Sequence, residues 1–112
     1  MEALGIAAIQ RQLGKLNEDL KENPWTIEND KLHKEFIFSN FIEAFGFMTR
    51  AAIIAEAMNH HPEWFNVYKK VIVDLMTHEA DGLTELDFQL AARMEQVINS
   101  QDLAGSFPLD HQ

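Results

Sequence analysis

Apolar residues recur along the chain with two alternating periods, and each change of period marks a new element. In residues 3–22, Leu4, Ala7, Ala8, Leu13, Leu16 and Leu20 approximate the three-to-four spacing of one helical face. Gly5 and Gly14 weaken that helix, each by about 1 kcal/mol relative to alanine. Pro24 ends it, because proline cannot continue a helix and pushes the preceding residue toward extended geometry. Residues 25–28 read as a short strand, Asn29-Asp30 as a turn and residues 32–38 as the returning strand. On that strand Leu32, Phe36 and Phe38 share one face and His33, Glu35 and Ile37 the other, with Lys34 interrupting the apolar set.

The stretch SNFIEAFGFMTRAAIIAEAMN predicts the strongest helix. Asn40 can cap it with Glu43 in the capping-box position, and Pro62 stands just past its end. Phe41, Ala44, Phe45, Met48, Ala51, Ala52, Ala55 and Met58 form a broad apolar face, read as core. Two strands follow, residues 64–67 and 71–76, joined by a Tyr-Lys-Lys turn, with Val71, Val73 and Leu75 alternating against Ile72, Asp74 and Met76. Residues 77–83 are expected as a loop turning at Asp81-Gly82. Thr84 and Asp87 form a second capping box, opening a last helix whose apolar face is Leu86, Leu90, Met94, Val97 and Ile98. Residues 101–112 lack periodicity and read as a loose tail after a single domain spanning residues 1–100. Helix, two strands, helix, two strands, helix predicts an α+β domain: a four-stranded antiparallel sheet with three helices packed on one face.

Composition narrows the function classes. The chain has 112 residues, 46% of them hydrophobic, and a formal charge of −9. Such acidity argues against direct nucleic-acid binding, which needs a basic footprint, and against an anionic membrane surface. No apolar run is long enough to span a bilayer, and the N-terminus lacks the pattern of a signal peptide. Absence of cysteine excludes disulfides and thiolate metal sites and fits a cytoplasmic location. A chain this short leaves much surface exposed, so a homo-oligomer is expected.

Candidate chemistry sits with the histidines. His33 on a strand and His111 in the tail read as surface residues, whereas His60, His61 and His78 all fall at element boundaries, where site residues concentrate. Imidazole can both give and take protons near neutral pH, which suits general acid–base catalysis. Glu56 and Asp87 could orient the rings, and Trp64 with Phe65 could supply a flat apolar wall. A three-histidine metal site is the weaker reading, because adjacent residues of extended chain point to opposite sides and no HExxH helix occurs. Packing of the imidazoles against the last carbonyls of the helix is the structural alternative, which spacing alone would favour.

A longer signature adds to this. Glu56, the run His60-His61-Pro62, Tyr68, His78 and Asp87 occur in the order typical of the pterin-4a-carbinolamine dehydratases, which the chain resembles. FGFMTR, HHPEWFNVY, THE, GLTELD and LAARMEQV are similar to animal members of that family from Phe36 to Val97, and Trp25 falls where the family has a tryptophan. The resemblance implies dehydration of a 4a-hydroxytetrahydropterin, the product an aromatic amino acid hydroxylase releases from its tetrahydrobiopterin cofactor, to the quinonoid dihydropterin. It implies no metal and no bound cofactor. By the same resemblance His60 and His78 transfer protons at the C4a hydroxyl, His61 holds the pterin, Glu56 and Asp87 orient the histidines, and Trp64 packs on the ring. Asn59 stands where animal members commonly have aspartate; it can hydrogen-bond a histidine without offsetting its charge. The family fold is the α+β arrangement above, assembled as tetramers built from dimers, so a homo-oligomer, dimer or tetramer, is expected here. Animal members also bind a homeodomain transcription factor, so a protein-interaction module is the alternative function. A homologue that had lost catalysis would be expected to show a broken motif, and this one is complete.

Overall fold

The computed structural model describes residues 1–106, with side chains through Asn99. In chain order the elements are α1 (Ile6–Leu16), β1 (Thr26–Glu28), β2 (Lys31–Ile37), α2 (Phe41–Met58), β3 (Glu63–Val67), β4 (Lys70–Leu75), a 3-10 turn (His78–Ala80) and α3 (Glu85–Ser106). The strands form one antiparallel sheet in the order β1-β2-β4-β3. Thus the predicted α+β architecture stands, with α2 carrying the chain from the centre of the sheet to its β3 edge.

Alternation sets the layers. Leu32, Lys34 and Phe36 of β2 and Val71, Val73 and Leu75 of β4 are buried. They meet Ala44, Phe47, Ala51 and Ala55 of α2 and Phe88, Leu90, Ala91, Met94 and Val97 of α3 in one core. Burying a large side chain such as Phe47 or Leu32 stabilises by about 1.5–3 kcal/mol. Phe36, Phe38 and Phe47 add aromatic contacts, with centroids 4.8 Å apart for Phe36 and Phe47 and 5.1 Å for Phe38 and Phe47.

Lys34, the residue that interrupts the apolar face, stays in the core. Its ammonium lies 2.6 Å from Glu95 Oε2 on α3 and over the Phe36 ring, 4.8 Å from its centroid. The same carboxylate oxygen accepts the Trp25 indole N–H at 2.9 Å. A buried lysine is tolerable when its charge is paired and hydrogen-bonded, and here the pair ties the first hairpin to the last helix.

Three expectations change in detail. The first helix is shorter than residues 3–22. Leu4 and Leu20, outside α1, still pack against the core, so hydrophobic spacing overstated helical length. Asn17 caps its end, and the side chain of Asn17 holds the backbone of Trp25 from both sides, at 2.8 and 2.9 Å. The broad face of α2 divides: Phe47 turns into the core, while Phe41 and Phe45 are about half exposed. Finally, α3 continues past position 100 to Ser106, and the remainder of the expected tail, with His111, lies outside the described residues.

Candidate active site

The end of α2 determines where the histidines go. Asn59 adopts a left-handed conformation, φ 52° and ψ 43°. Its N–H donates to Glu56 O at 3.1 Å, and the His60 N–H donates to Ala55 O at 3.0 Å. This pair of bonds satisfies the last carbonyls of the helix, and asparagine tolerates the left-handed region better than most residues bearing a side chain. Asn59 therefore shapes the turn; among the described residues its side chain makes no hydrogen bond to a histidine. Beyond it, His60 is 7% exposed while the neighbouring His61 side chain is 58% exposed.

Asp87 meets His60 from α3. The His60 Nε2 lies 2.6 Å from Asp87 Oδ1. The other carboxylate oxygen accepts the Thr77 hydroxyl at 2.8 Å and the Thr84 N–H at 2.9 Å. The Thr84 hydroxyl in turn accepts the Leu86 N–H at 3.2 Å and lies 2.7 Å from the Thr77 hydroxyl. The predicted capping box thus forms, and its carboxylate is also the partner of a histidine. Asp87 is fully buried, and the cost of burying so polar a group is offset when both its oxygens are hydrogen-bonded, as they are here. No buried side-chain nitrogen or oxygen lacks a partner among the described residues. Among the described residues the His60 side chain bonds only through Nε2, so its Nδ1, which is not among the buried unpartnered atoms, keeps contact with solvent.

His61 and His78 each hold a carboxylate at the surface. His61 Nε2 lies 2.8 Å from Glu56 Oε1, and His78 Nε2 lies 3.2 Å from Glu63 Oε2. His78 stands on the 3-10 turn, immediately after Thr77, which the isolated bridge to Gly82 holds in place. The Glu63 carboxylate is held below its ordinary value, chiefly by a hydrogen bond from Lys31 Nζ at 2.6 Å and by that cation's charge, with His78 adding in the same direction and burial opposing. Register explains the clustering: Glu63 pairs with Asp74, so the segment entering β3 and the segment leaving β4 lie at one end of the sheet, beside the start of α3.

A family model for pterin 4 alpha carbinolamine dehydratase matches residues 4–97. The chain belongs to that family.

Relatives extend the match. A protein of Sinorhizobium fredii is 50% identical over 112 residues, 98% of this chain and 95% of its own. One from Solibacter usitatus is 60% identical over 75 residues, 67% of this chain and 79% of its own. Both carry the provisional name pterin-4-alpha-carbinolamine dehydratase. A crystal structure titled transcriptional coactivator/pterin dehydratase, from Brucella melitensis, matches with a TM-score of 0.77 and 37% identity, covering 86% of this chain and 98% of that one. As a member of this family the chain is a carbinolamine dehydratase.

Within this dehydratase the structure brings His60 to Asp87 and His61 to Glu56, two pairings that chain order did not specify. Trp64 is half-buried on β3 and lines a groove of about 510 Å³ with Glu56, Phe45, Met48, Thr49, Ala52 and Ile53. Thr77, Glu63 and Lys31 were missed. Thr77 and Glu63 stand beside the motif histidines in THE and HHPE, which was the available signal; Lys31 comes from a hairpin 32 positions away from Glu63, and nothing local points to it. His33 is not a free surface residue, since Asp74 lies 2.8 Å from its Nδ1. Among the described residues no group of three His, Cys, Asp or Glu is placed to hold a metal ion, and no helix is long and apolar enough to cross a membrane.

Proposed function

We propose that this dehydratase removes water from a 4a-hydroxytetrahydropterin by histidine general acid–base catalysis, giving the quinonoid dihydropterin and so recycling tetrahydrobiopterin. One observation carries the reading: all three motif histidines are backed by a carboxylate through Nε2, Asp87 for His60, Glu56 for His61 and Glu63 for His78. A carboxylate that accepts the Nε2 proton fixes the neutral tautomer, leaves Nδ1 free as a base and stabilises the imidazolium when the ring is charged.

The chemistry asks for little else. The lone pair on the ring nitrogen beside C4a forms the new double bond as the C4a–O bond breaks. An imidazolium gives its proton to the departing hydroxyl, which leaves as water. A neutral imidazole takes the surplus ring proton, and the charge balances. His60 and His78 exchange these protons, and His61 holds the pterin. Trp64 packs against the ring, and Asn59 sets the helix-ending turn from which His60 and His61 leave α2. No cofactor takes part in this sequence.

The exposed apolar side of α2 favours a second role in association. Phe41, Phe45, Ile42 and Ile53 are 46%, 52%, 81% and 66% exposed, an apolar patch that fits a homo-oligomer of two or four chains or a partner such as a transcription factor. The Brucella melitensis protein's title joins coactivator and dehydratase in one molecule, and a coactivator role here would accompany the activity. A cytoplasmic location fits both.

The test is ultraviolet monitoring of freshly generated 4a-hydroxytetrahydropterin with wild type, His60→Ala, His61→Ala and His78→Ala. Acceleration by wild type and its loss by about 10²–10⁴-fold in the His60 and His78 variants is expected. No acceleration by folded wild type would overturn the reading and leave association as the function.

A further inference from the structure

We infer that Glu63, tethered by Lys31, is the positioning residue that holds His78 in its working orientation. This rests on the reading of His78 as a proton-transfer group. His78 is the most exposed of the three motif histidines, with 74% of its side chain open to solvent on a one-turn 3-10 segment. Glu63 is the only side chain within ion-pair distance of it among the described residues, 3.2 Å from Nε2, and a part-exposed glutamate alone would restrain it weakly.

Lys31 changes that. Glu63 sits with one oxygen 2.6 Å from Lys31 Nζ and the other 3.2 Å from His78 Nε2. Both oxygens are used, so the carboxylate plane is held from β2 while it faces the ring. Lys31 and Glu63 lie on strands separated by β4, so their positions come from sheet register and not from a mobile loop. Asp74 of β4, paired with Glu63 in that register, adds negative potential that keeps the Lys31 ammonium at this corner. The depressed carboxyl of Glu63 agrees with this arrangement, since an ionised oxygen is what the Nε2 proton requires. With Glu63 facing Nε2, the neutral His78 ring is expected to carry its hydrogen there and to leave Nδ1 as the basic nitrogen, the same tautomer that Asp87 favours in His60.

Two measurements separate this role from a structural one. In the dehydration assay, Glu63→Gln should lower kcat about fivefold, the fold-change equivalent to an exposed ion pair, while KM stays within about twofold. Lys31→Met should lower it in the same direction by less. In a His78→Ala background neither change should have any further effect, because a residue that acts through His78 has nothing left to position. Nitrogen chemical shifts of the His78 ring should report the Nε2–H tautomer in wild type and a mixture in Glu63→Gln.

Equal losses in the wild-type and His78→Ala backgrounds would overturn the inference, as would an unchanged tautomer. If His78→Ala itself kept full activity, the catalytic reading of His78 would fail instead, while the ring shifts would still show whether Glu63 orients it.

Discussion

His60 and His78 carry the same chemical unit, an imidazole with a carboxylate on Nε2, in opposite surroundings. His60 and Asp87 are nearly closed off from water, and three further hydrogen-bond donors and acceptors from Thr77, Thr84 and Leu86 complete the network. His78 stands in solvent beside a part-exposed Glu63, and among the described residues Lys31 is the only other side chain tied to that pair. One pairing is therefore part of the fold, and the other is an addition to it. Breaking a buried pair strands an uncompensated charge, whereas breaking an exposed one exchanges it for water. Stability and activity should therefore separate across the site.

The largest effect falls on the buried side. Asp87→Ala removes the partner of His60, the acceptor for Thr77 and half of the capping box together. Urea unfolding should show a loss of about 3–5 kcal/mol. A loss below about 1 kcal/mol would mean that the network is not holding α3 to the rest.

Next comes the turn that ends α2 just before the paired histidines. Asn59→Ala places an ordinary side chain at φ 52° and should cost about 1 kcal/mol, while Asn59→Gly should be neutral or slightly stabilising. If the glycine variant folds as well and retains activity, the asparagine acts through backbone geometry; a selective loss of rate in that variant would restore a role for its amide.

On the exposed side, His61→Ala and His78→Ala should change unfolding free energy by less than about 1 kcal/mol, even where they abolish turnover. This contrast with Asp87→Ala is the sharpest form of the comparison.

The smallest effect is a pH dependence. Glu63 is held below its ordinary 4.5, so the stabilisation it gains from Lys31 is present above that value and is lost as pH falls through the depressed one. Lys31 is raised above 10.5 by the same bond, so its share is present below 10.5 and is lost as pH rises through the raised value. The difference in melting temperature between wild type and Lys31→Met should thus be steady between these limits and shrink in acid below 4.5. A difference that persisted unchanged in strong acid would contradict the pairing.

Local chemistry was the legible part of the sequence. Asn40 does accept the Glu43 N–H at 2.9 Å, Thr84 and Asp87 close their box, and Asn29-Asp30 forms a two-residue turn with both residues at positive φ. Each depends on residues a few positions apart. Lys34 could be read only as an interruption, because the carboxylate that makes its burial tolerable lies 61 positions away. The same limit hid Lys31 from Glu63, and it left His60 and Asp87 as two motif members without a bond between them. On α2, apolar residues occur nearly all round the helix, so spacing could not tell that Phe47 faces inward and Phe45 outward. The motif pointed to the candidate site; the packing that divides it into a buried and an exposed half needed the fold.

The most direct test is the dehydration rate of Asp87→Asn, compared with wild type at pH 7 after confirming that the variant is folded. Asparagine can keep the bonds from Thr77 and Thr84 through its carbonyl, but it turns an N–H toward His60 Nε2 and so forces the opposite tautomer. The expected result is a folded protein whose kcat/KM falls by about 10²-fold or more. A folded Asp87→Asn enzyme of wild-type activity would contradict it, because the histidine would then work without its carboxylate.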